Sequence, residues 1–187
     1  MGIGQTGAMA TAWISMGSNV GDRGANLLEA ARRLAAVPGV SGLARGPFRA
    51  TEAVVLPGAP PQRGFLNAAA RVEATLDPPQ LLRAMLGVER AMGRPPAERR
   101  AAWAPRAVDL DLLFHGRSAG AWADPPLQLP HRSWSTRAFV LLPVLDVEPG
   151  FVSPEQTPRA ALGLLRGLCR SGVPDKNPEV PERGGPA

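Results

Sequence analysis

The run Val108-Asp109-Leu110-Asp111-Leu112-Leu113-Phe114 sets two aspartates at alternate positions in an otherwise apolar stretch. In a β-strand, neighbouring side chains point to opposite faces, and residues two apart share a face at ~6.6 Å along the chain. The spacing predicts a strand with Val108, Leu110, Leu112 and Phe114 on a core face and Asp109 and Asp111 on the other. Aspartate is depleted from strands, and like charges held side by side repel. A solvated strand face is the ordinary alternative. A divalent-cation site explains more, because two carboxylates so placed can bridge a pair of Mg2+ ions ~3.5–4 Å apart that clamp a polyphosphate.

Directly before this strand the chain is densely basic: Arg90, Arg94, Arg99, Arg100 and Arg106 stand against Glu89 and Glu98. A planar, permanently charged guanidinium with forked donors suits phosphate oxygens. The whole chain carries a formal charge of +5, which invites a nucleic-acid reading. Apart from Lys176, however, every basic residue is Arg, and Ala, Gly and Pro are also abundant. That pattern is a compositional bias rather than one selected surface. Cys169 is alone and cannot form an internal disulfide. No stretch approaches the ~18 apolar residues of a membrane span, and no basic residue precedes Arg23 to begin a secretory signal. The expectation is a cytoplasmic protein with no membrane and no nucleic-acid partner.

Along the chain, residues 1–11 read as a disordered start and Ala12 to Met16 as a short strand broken by Gly17-Ser18-Asn19. Asp22 is a candidate N-cap for a helix with Leu27, Leu28, Ala31, Leu34 and Ala35 on one stripe, stopped by Pro38-Gly39. A second extended segment runs from Val40 to Ala50, and Thr51 to Gly64, rich in Pro and Gly, is a long loop. Phe65 to Val72 alternates, with Leu66, Ala68, Ala70 and Val72 toward the core and Phe65, Asn67 and Arg71 opposite. The next helix has Asp77 as N-cap, Leu81, Leu82, Met85, Val88 and Met92 as its apolar positions, and Gly93 as its stop. Ser133 to Leu145 and Arg159 to Arg170 read as further helical stretches, and residues 173–187 as a disordered Pro-rich tail after a single domain over 12–172.

The order β-α-β-β-α-β is that of an α+β, ferredoxin-like fold: a mostly antiparallel sheet, helices on one face, the other face open for a site. In that arrangement Asp109, Asp111, Phe65 and Asn67 all point away from the helices.

These residues resemble the 6-hydroxymethyl-7,8-dihydropterin pyrophosphokinase family. The resemblance rests on Gly17-Ser18-Asn19, Thr51-Glu52, Phe65-Leu66-Asn67-Ala68-Ala69, Glu89 ahead of Gly93-Arg94, Trp103-Ala104-Pro105-Arg106-Ala107-Val108-Asp109-Leu110-Asp111, Leu129-Pro130-His131 and Arg137-Ala138-Phe139-Val140-Leu141, in that order. It implies transfer of the β,γ-pyrophosphoryl group of ATP to the hydroxymethyl oxygen of the pterin, with release of AMP. It further implies that Asp109 and Asp111 hold two Mg2+ ions and act in catalysis with Arg94 and Arg106. Glu89, Arg94, Trp103, Arg106, His131 and Arg137 would serve ATP; Thr51, Val54, Phe65, Asn67 and Phe139 would serve the pterin, the two Phe rings stacking on it. The small-molecule substrates would be its only partners, and the protein a monomer.

Other classes fit less well. An RNA-binding module of the same topology needs an aromatic-rich strand, and this chain has no Tyr. A regulatory domain that binds without turnover has no use for an aspartate pair beside arginines. A P-loop kinase is excluded, because no G-x-x-x-x-G-K-[ST] sequence is present.

Overall fold

The computed structural model describes residues 8–53, 61–95, 104–116, 118–132 and 134–151. The elements are β1 (Ala10–Ser18), α1 (Arg23–Ala35), β2 (Val40–Arg45), β3 (Arg49–Thr51), β4 (Phe65–Ala74), α2 (Pro78–Ala91), β5 (Asp109–His115), β6 (Gly120–Trp122), β7 (Leu127–Leu129), a 3-10 turn (Trp134–Thr136) and α3 (Ala138–Val147). The main sheet runs β2-β4-β1-β5, with β3 also on β4, and every pairing is antiparallel. β2 and β3 line the same side of β4 as two pieces of one broken strand, so the βαββαβ order holds.

Both early helices begin where their sequence says they should. The Asp22 side chain accepts from the Ala25 N–H at 2.9 Å, and Asp77 with Gln80 forms a reciprocal capping box at 2.8 and 2.9 Å. α1 buries Leu27, Ala30, Ala31 and Leu34, while Leu28 is exposed and Ala35 lies outside the stripe. The true period is i, i+3, i+4, i+7, and Leu28 falls on the solvent side of it. α2 ends at Gly93, whose φ of 87° is costly for any residue with a Cβ. These helices cover one sheet face, where Ala12, Ile14, Met16, Ala68, Ala70, Val72, Val108, Leu110 and Leu112 form the main core with Leu27, Leu34, Leu81 and Met85.

Four further expectations need correction. β1 starts at Ala10 and runs through Gly17 and Ser18, because both neighbours pair with it there: Gly17 lies opposite Asn67 of β4 and Asp109 of β5. Ladder partners on two sides outweigh the turn preference of Gly-Ser, and Ala10 and Thr11 leave the expected disordered start. The segment expected as one strand from Val40 to Ala50 is broken after Arg45. Pro47 has no N–H to give, and Gly46 passes so close to α3 that a Cβ would sit 3.1 Å from Val147.

Phe114 does not share the face of Leu112. The β1–β5 register shifts between Trp13 and Ile14, so Trp13 pairs with Phe114 and Ile14 with Leu112, leaving Leu113 as the extra residue of a bulge. Phe114 is thereby turned to the opposite face. There it meets Trp134 at 5.0 Å, Phe151 at 5.1 Å and Trp13 at 6.2 Å between ring centroids, tilted or edge to face. Each such pair adds about 0.5–1.5 kcal/mol beyond area burial. The fourth correction follows: the second face is not wholly open. α3, starting at Ala138 rather than Ser133, packs on β4, β1 and β3 and closes a second core of Ala69, Leu113, Phe114, Val140, Leu141 and Val144. Arg49 pairs with Asp146 at 2.5 Å and Trp13 Nε1 donates to Glu148 at 2.9 Å, fastening α3 to the sheet. The end of this face near Gly17, Asp109 and Asn67 lies outside that second core. The expected helix over 159–170 and the tail over 173–187 lie outside the described residues.

Candidate active site

That end of the face is built from three adjacent strands. Because β1 lies between β4 and β5, the register sets Asn67, Gly17 and Asp109 in one row across the sheet, with Ala69, Ser15 and Asp111 in another. Residues directly opposite on one face have their Cβ positions about 4.5–5.5 Å apart, so the aspartates of β5 are only two strands from the Phe65–Asn67 pair of β4.

Asp109 is gripped from both sides. Its Oδ1 accepts from Arg94 Nη1 at 2.6 Å and its Oδ2 from Arg106 Nη2 at 2.7 Å. Arg94 is itself held by Glu89, which is 3 % exposed and pairs with the same Nη1. Glu89 Oε1 also accepts the Leu110 N–H at 2.8 Å, so a helix side chain closes a hydrogen bond on the free edge of β5. Burial pushes the Glu89 carboxyl up, more than the Arg94 charge pulls it down. The Nε–H groups of Arg94 and Arg106 are buried and have no acceptor among the described residues.

Asp111 is pushed up first by burial and then by the Asp109 charge, while His131, Arg106 and Arg137 pull the other way. His131 is brought alongside β5 by its own N–H, which donates to the Leu113 carbonyl at 3.0 Å. Burial pushes its imidazole down, against the pull of Asp111. The two aspartates thus differ: Asp109 has its charge answered by guanidiniums, and Asp111 bears a buried charge only partly compensated.

On β4, Asn67 is 4 % exposed and its Nδ2 donates to Thr51 Oγ1 at 2.9 Å. As placed, Nδ2 faces Thr51 and Oδ1 faces Gly17, where it can accept. The Arg106 guanidinium lies 5.2 Å from the centre of the Phe65 ring, so one side chain touches both the aromatic and the carboxylate halves of the site. Phe139, in the first turn of α3, has Arg137 over its ring at 5.7 Å and leans on the second core.

The structure therefore gathers Glu89, Arg94, Arg106 and Asp109 into one ion-pair cluster, sets Asp111 within electrostatic reach of His131 and Arg137, and joins Thr51, Phe65 and Asn67 to the cluster through Arg106. Val54 and Trp103 lie outside the described residues. Two contributors were not visible as such in the sequence. Gly17 forms the bare middle of the row just described. Asn19, 2 % exposed, accepts the Arg106 N–H on its Oδ1 at 2.7 Å while its own N–H donates to the Arg106 carbonyl at 3.1 Å. The sequence signal for both was the Gly17-Ser18-Asn19 stretch, which carried the resemblance but gave neither residue a role.

A family model described as 7,8-dihydro-6-hydroxymethylpterin-pyrophosphokinase (HPPK) matches residues 13–149. A 2-amino-4-hydroxy-6-hydroxymethyldihydropteridine pyrophosphokinase of Methylorubrum extorquens is 40% identical over 157 residues, covering 84% of this chain and 94% of the relative. One of the same name from Synechocystis is 33% identical over 141 residues, covering 75% and 68%. Among solved structures, a Plasmodium falciparum HPPK-DHPS crystallised with SDX-DHP superposes with a TM-score of 0.66 at 12% identity, over 89% of this chain and 46% of that one, a likeness of fold. The register that gathers the aspartates, arginines and Asn67 at one end of the sheet lies within the matched span, and the chain belongs to the 7,8-dihydro-6-hydroxymethylpterin-pyrophosphokinase family.

Proposed function

We propose that the row from Asn67 to Asp109, with Asp111, is where this protein transfers the pyrophosphoryl group of ATP to the hydroxymethyl group of 6-hydroxymethyl-7,8-dihydropterin. The observation that carries this assignment is the convergence of two guanidiniums, Arg94 and Arg106, on Asp109, with the Asp111 carboxyl on the same face of β5. Guanidiniums suit phosphate oxygens, and carboxylates beside an anion call for cations. The donor set fits Mg2+: hard oxygens only, on one face, with Asp111 carrying a charge that a cation would relieve. Asp109 and Asp111 would hold two such ions. When bound, Mg2+ neutralises and orients the triphosphate.

The chain's own residues do the rest. Arg94 and Arg106 bind phosphate oxygens and keep charge balanced as it shifts toward the leaving group, with Glu89 fixing Arg94. His131 and Arg137 lie on the Asp111 side and serve the nucleotide. Asn67 reads the pterin edge through Oδ1, with Thr51 fixing its amide, and Phe65 and Phe139 offer faces to the flat ring. The hydroxymethyl oxygen forms a bond to the β-phosphorus, the bond from that phosphorus to the α,β-bridging oxygen breaks, AMP departs, and the hydroxyl proton is released. Positioning and charge neutralisation suffice, and no covalent enzyme intermediate is required. Val54 and Trp103 are assigned to pterin and nucleotide respectively on sequence pattern alone. We also propose a monomer, working in the cytoplasm, where ATP is abundant.

The test is direct. Incubation with MgATP and the reduced pterin alcohol should release AMP, not ADP, and EDTA should abolish the release; ADP as the product would overturn the assignment. Asn67→Ala should raise the pterin Kd about tenfold or more, as loss of a buried hydrogen-bond partner does, and leave ATP binding within about twofold. Equal losses for both ligands would contradict the division of the site.

A further inference from the structure

We infer that Gly17 is a specificity-determining position: the missing side chain in the middle strand is what lets the pterin lie flat between its reading residues and the aspartates. This rests on the assignment of pterin to Phe65 and Asn67 above. Gly17 lies inside β1, paired on both sides, opposite Asn67 and opposite Asp109. Its backbone is not among the positive-φ positions, so nothing about its conformation asks for glycine. Glycine inside a strand is otherwise a cost, through backbone entropy and lost packing, and where conformation does not demand it the usual reason is close approach of another group.

The space in question is defined. A Cβ built on Gly17 would stand 3.4 Å from Asn67 Oδ1, 3.4 Å from Phe65 Cδ1 and 3.8 Å from Phe65 Cε1. Those are ordinary contact distances, so the protein itself accepts a methyl group there. The methyl would instead occupy the angle between the acceptor that reads the heterocycle's edge and the ring that takes its face. A ligand using both at once must pass over that angle. The carboxylate row begins on the other side of the same residue, so a ligand lifted by a side chain at 17 is also lifted away from the phosphates it must meet. The three atoms nearest a Cβ at 17 belong to Asn67 and Phe65, none to Arg94 or Glu89 of the ion-pair cluster, and its effect on nucleotide binding should be small.

A graded series makes the test. Gly17→Ala and Gly17→Val are compared with the parent protein by thermal melting, and by calorimetric titration with 6-hydroxymethyl-7,8-dihydropterin in the presence of Mg2+ and a non-hydrolysable α,β-methylene analogue of ATP. The expected result is an unchanged or higher melting temperature for Gly17→Ala and a pterin Kd raised about tenfold, with a larger loss for Gly17→Val, following the roughly 10- to 200-fold effect of one methylene in a fitted pocket. The Kd of the analogue alone should stay within about twofold. Unaltered pterin affinity in Gly17→Ala, or parallel loss of pterin and nucleotide, overturns the inference. Failure of the parent protein to release AMP in response to the pterin would instead overturn the function on which it rests. If Gly17→Val does not fold, the alanine variant decides alone.

Discussion

Asp111→Asn is expected to lower kcat by at least about a hundredfold while leaving the protein no less stable than the parent in EDTA. Both halves follow from the placement of one carboxylate. Asp111 is the aspartate whose charge is least compensated, pushed up by burial and by Asp109. A carboxyl whose pKa rises on folding contributes stability below its unfolded value and loses it as the pH climbs through the folded one. Near neutrality, then, this group costs stability, which an isosteric amide does not. Asp109→Asn should lose comparable activity but with some destabilisation, because it removes the charge that both arginines answer and sets an NH2 donor against one of the two guanidiniums. Steady-state AMP release and thermal unfolding in EDTA measure the two effects. An Asp111→Asn enzyme that turns over at near-parental rate would remove the basis for assigning Mg2+ to this pair.

The second large effect is expected at Glu89, which the resemblance assigns to the nucleotide and the structure sets against Arg94 and the backbone of β5. Glu89→Leu removes the acceptor of the Leu110 N–H and one of the two carboxylates that hold Arg94. Leaving a buried N–H unpaired and a mostly buried guanidinium half-paired should cost about 2–4 kcal/mol. At roughly 2–4 °C per kcal/mol for a domain of this size, the melting temperature should fall by about 5–15 °C. Glu89→Gln retains an acceptor for Leu110 and should lose less, while its weaker hold on Arg94 shows as a higher KM for MgATP. A Glu89→Leu protein that melts with the parent would mean that this hydrogen bond contributes nothing net.

The sequence carried the parts of this site that depend on short-range pattern. Alternation along 108–112 put Asp109 and Asp111 on the face opposite the main core, as did alternation along 65–72 for Phe65 and Asn67, because side-chain direction in a strand needs no knowledge of partners. What failed needed partners. The bulge that turns Phe114 over is a register event between β1 and β5, and nothing in Leu112-Leu113-Phe114 distinguishes it from continued alternation. Gly17-Ser18 is strand rather than turn only because β4 and β5 flank it. The covering of the second face by α3 depends on an apolar helix with no strong polar side, whose destination local periodicity does not specify. Glu89 stood out as a charge on the inward side of its helix, yet its role became definite only through the backbone of a strand twenty-one residues away.

That same carboxylate has a consequence for how molecules of this protein behave toward one another. β5 is the outermost ribbon of its sheet, the place where a foreign segment would normally zip on and begin an aggregate. Two of its outward-facing rungs are already taken, Leu110 by Glu89 and the Leu113 carbonyl by His131, so residues enlisted around the site also blunt the template.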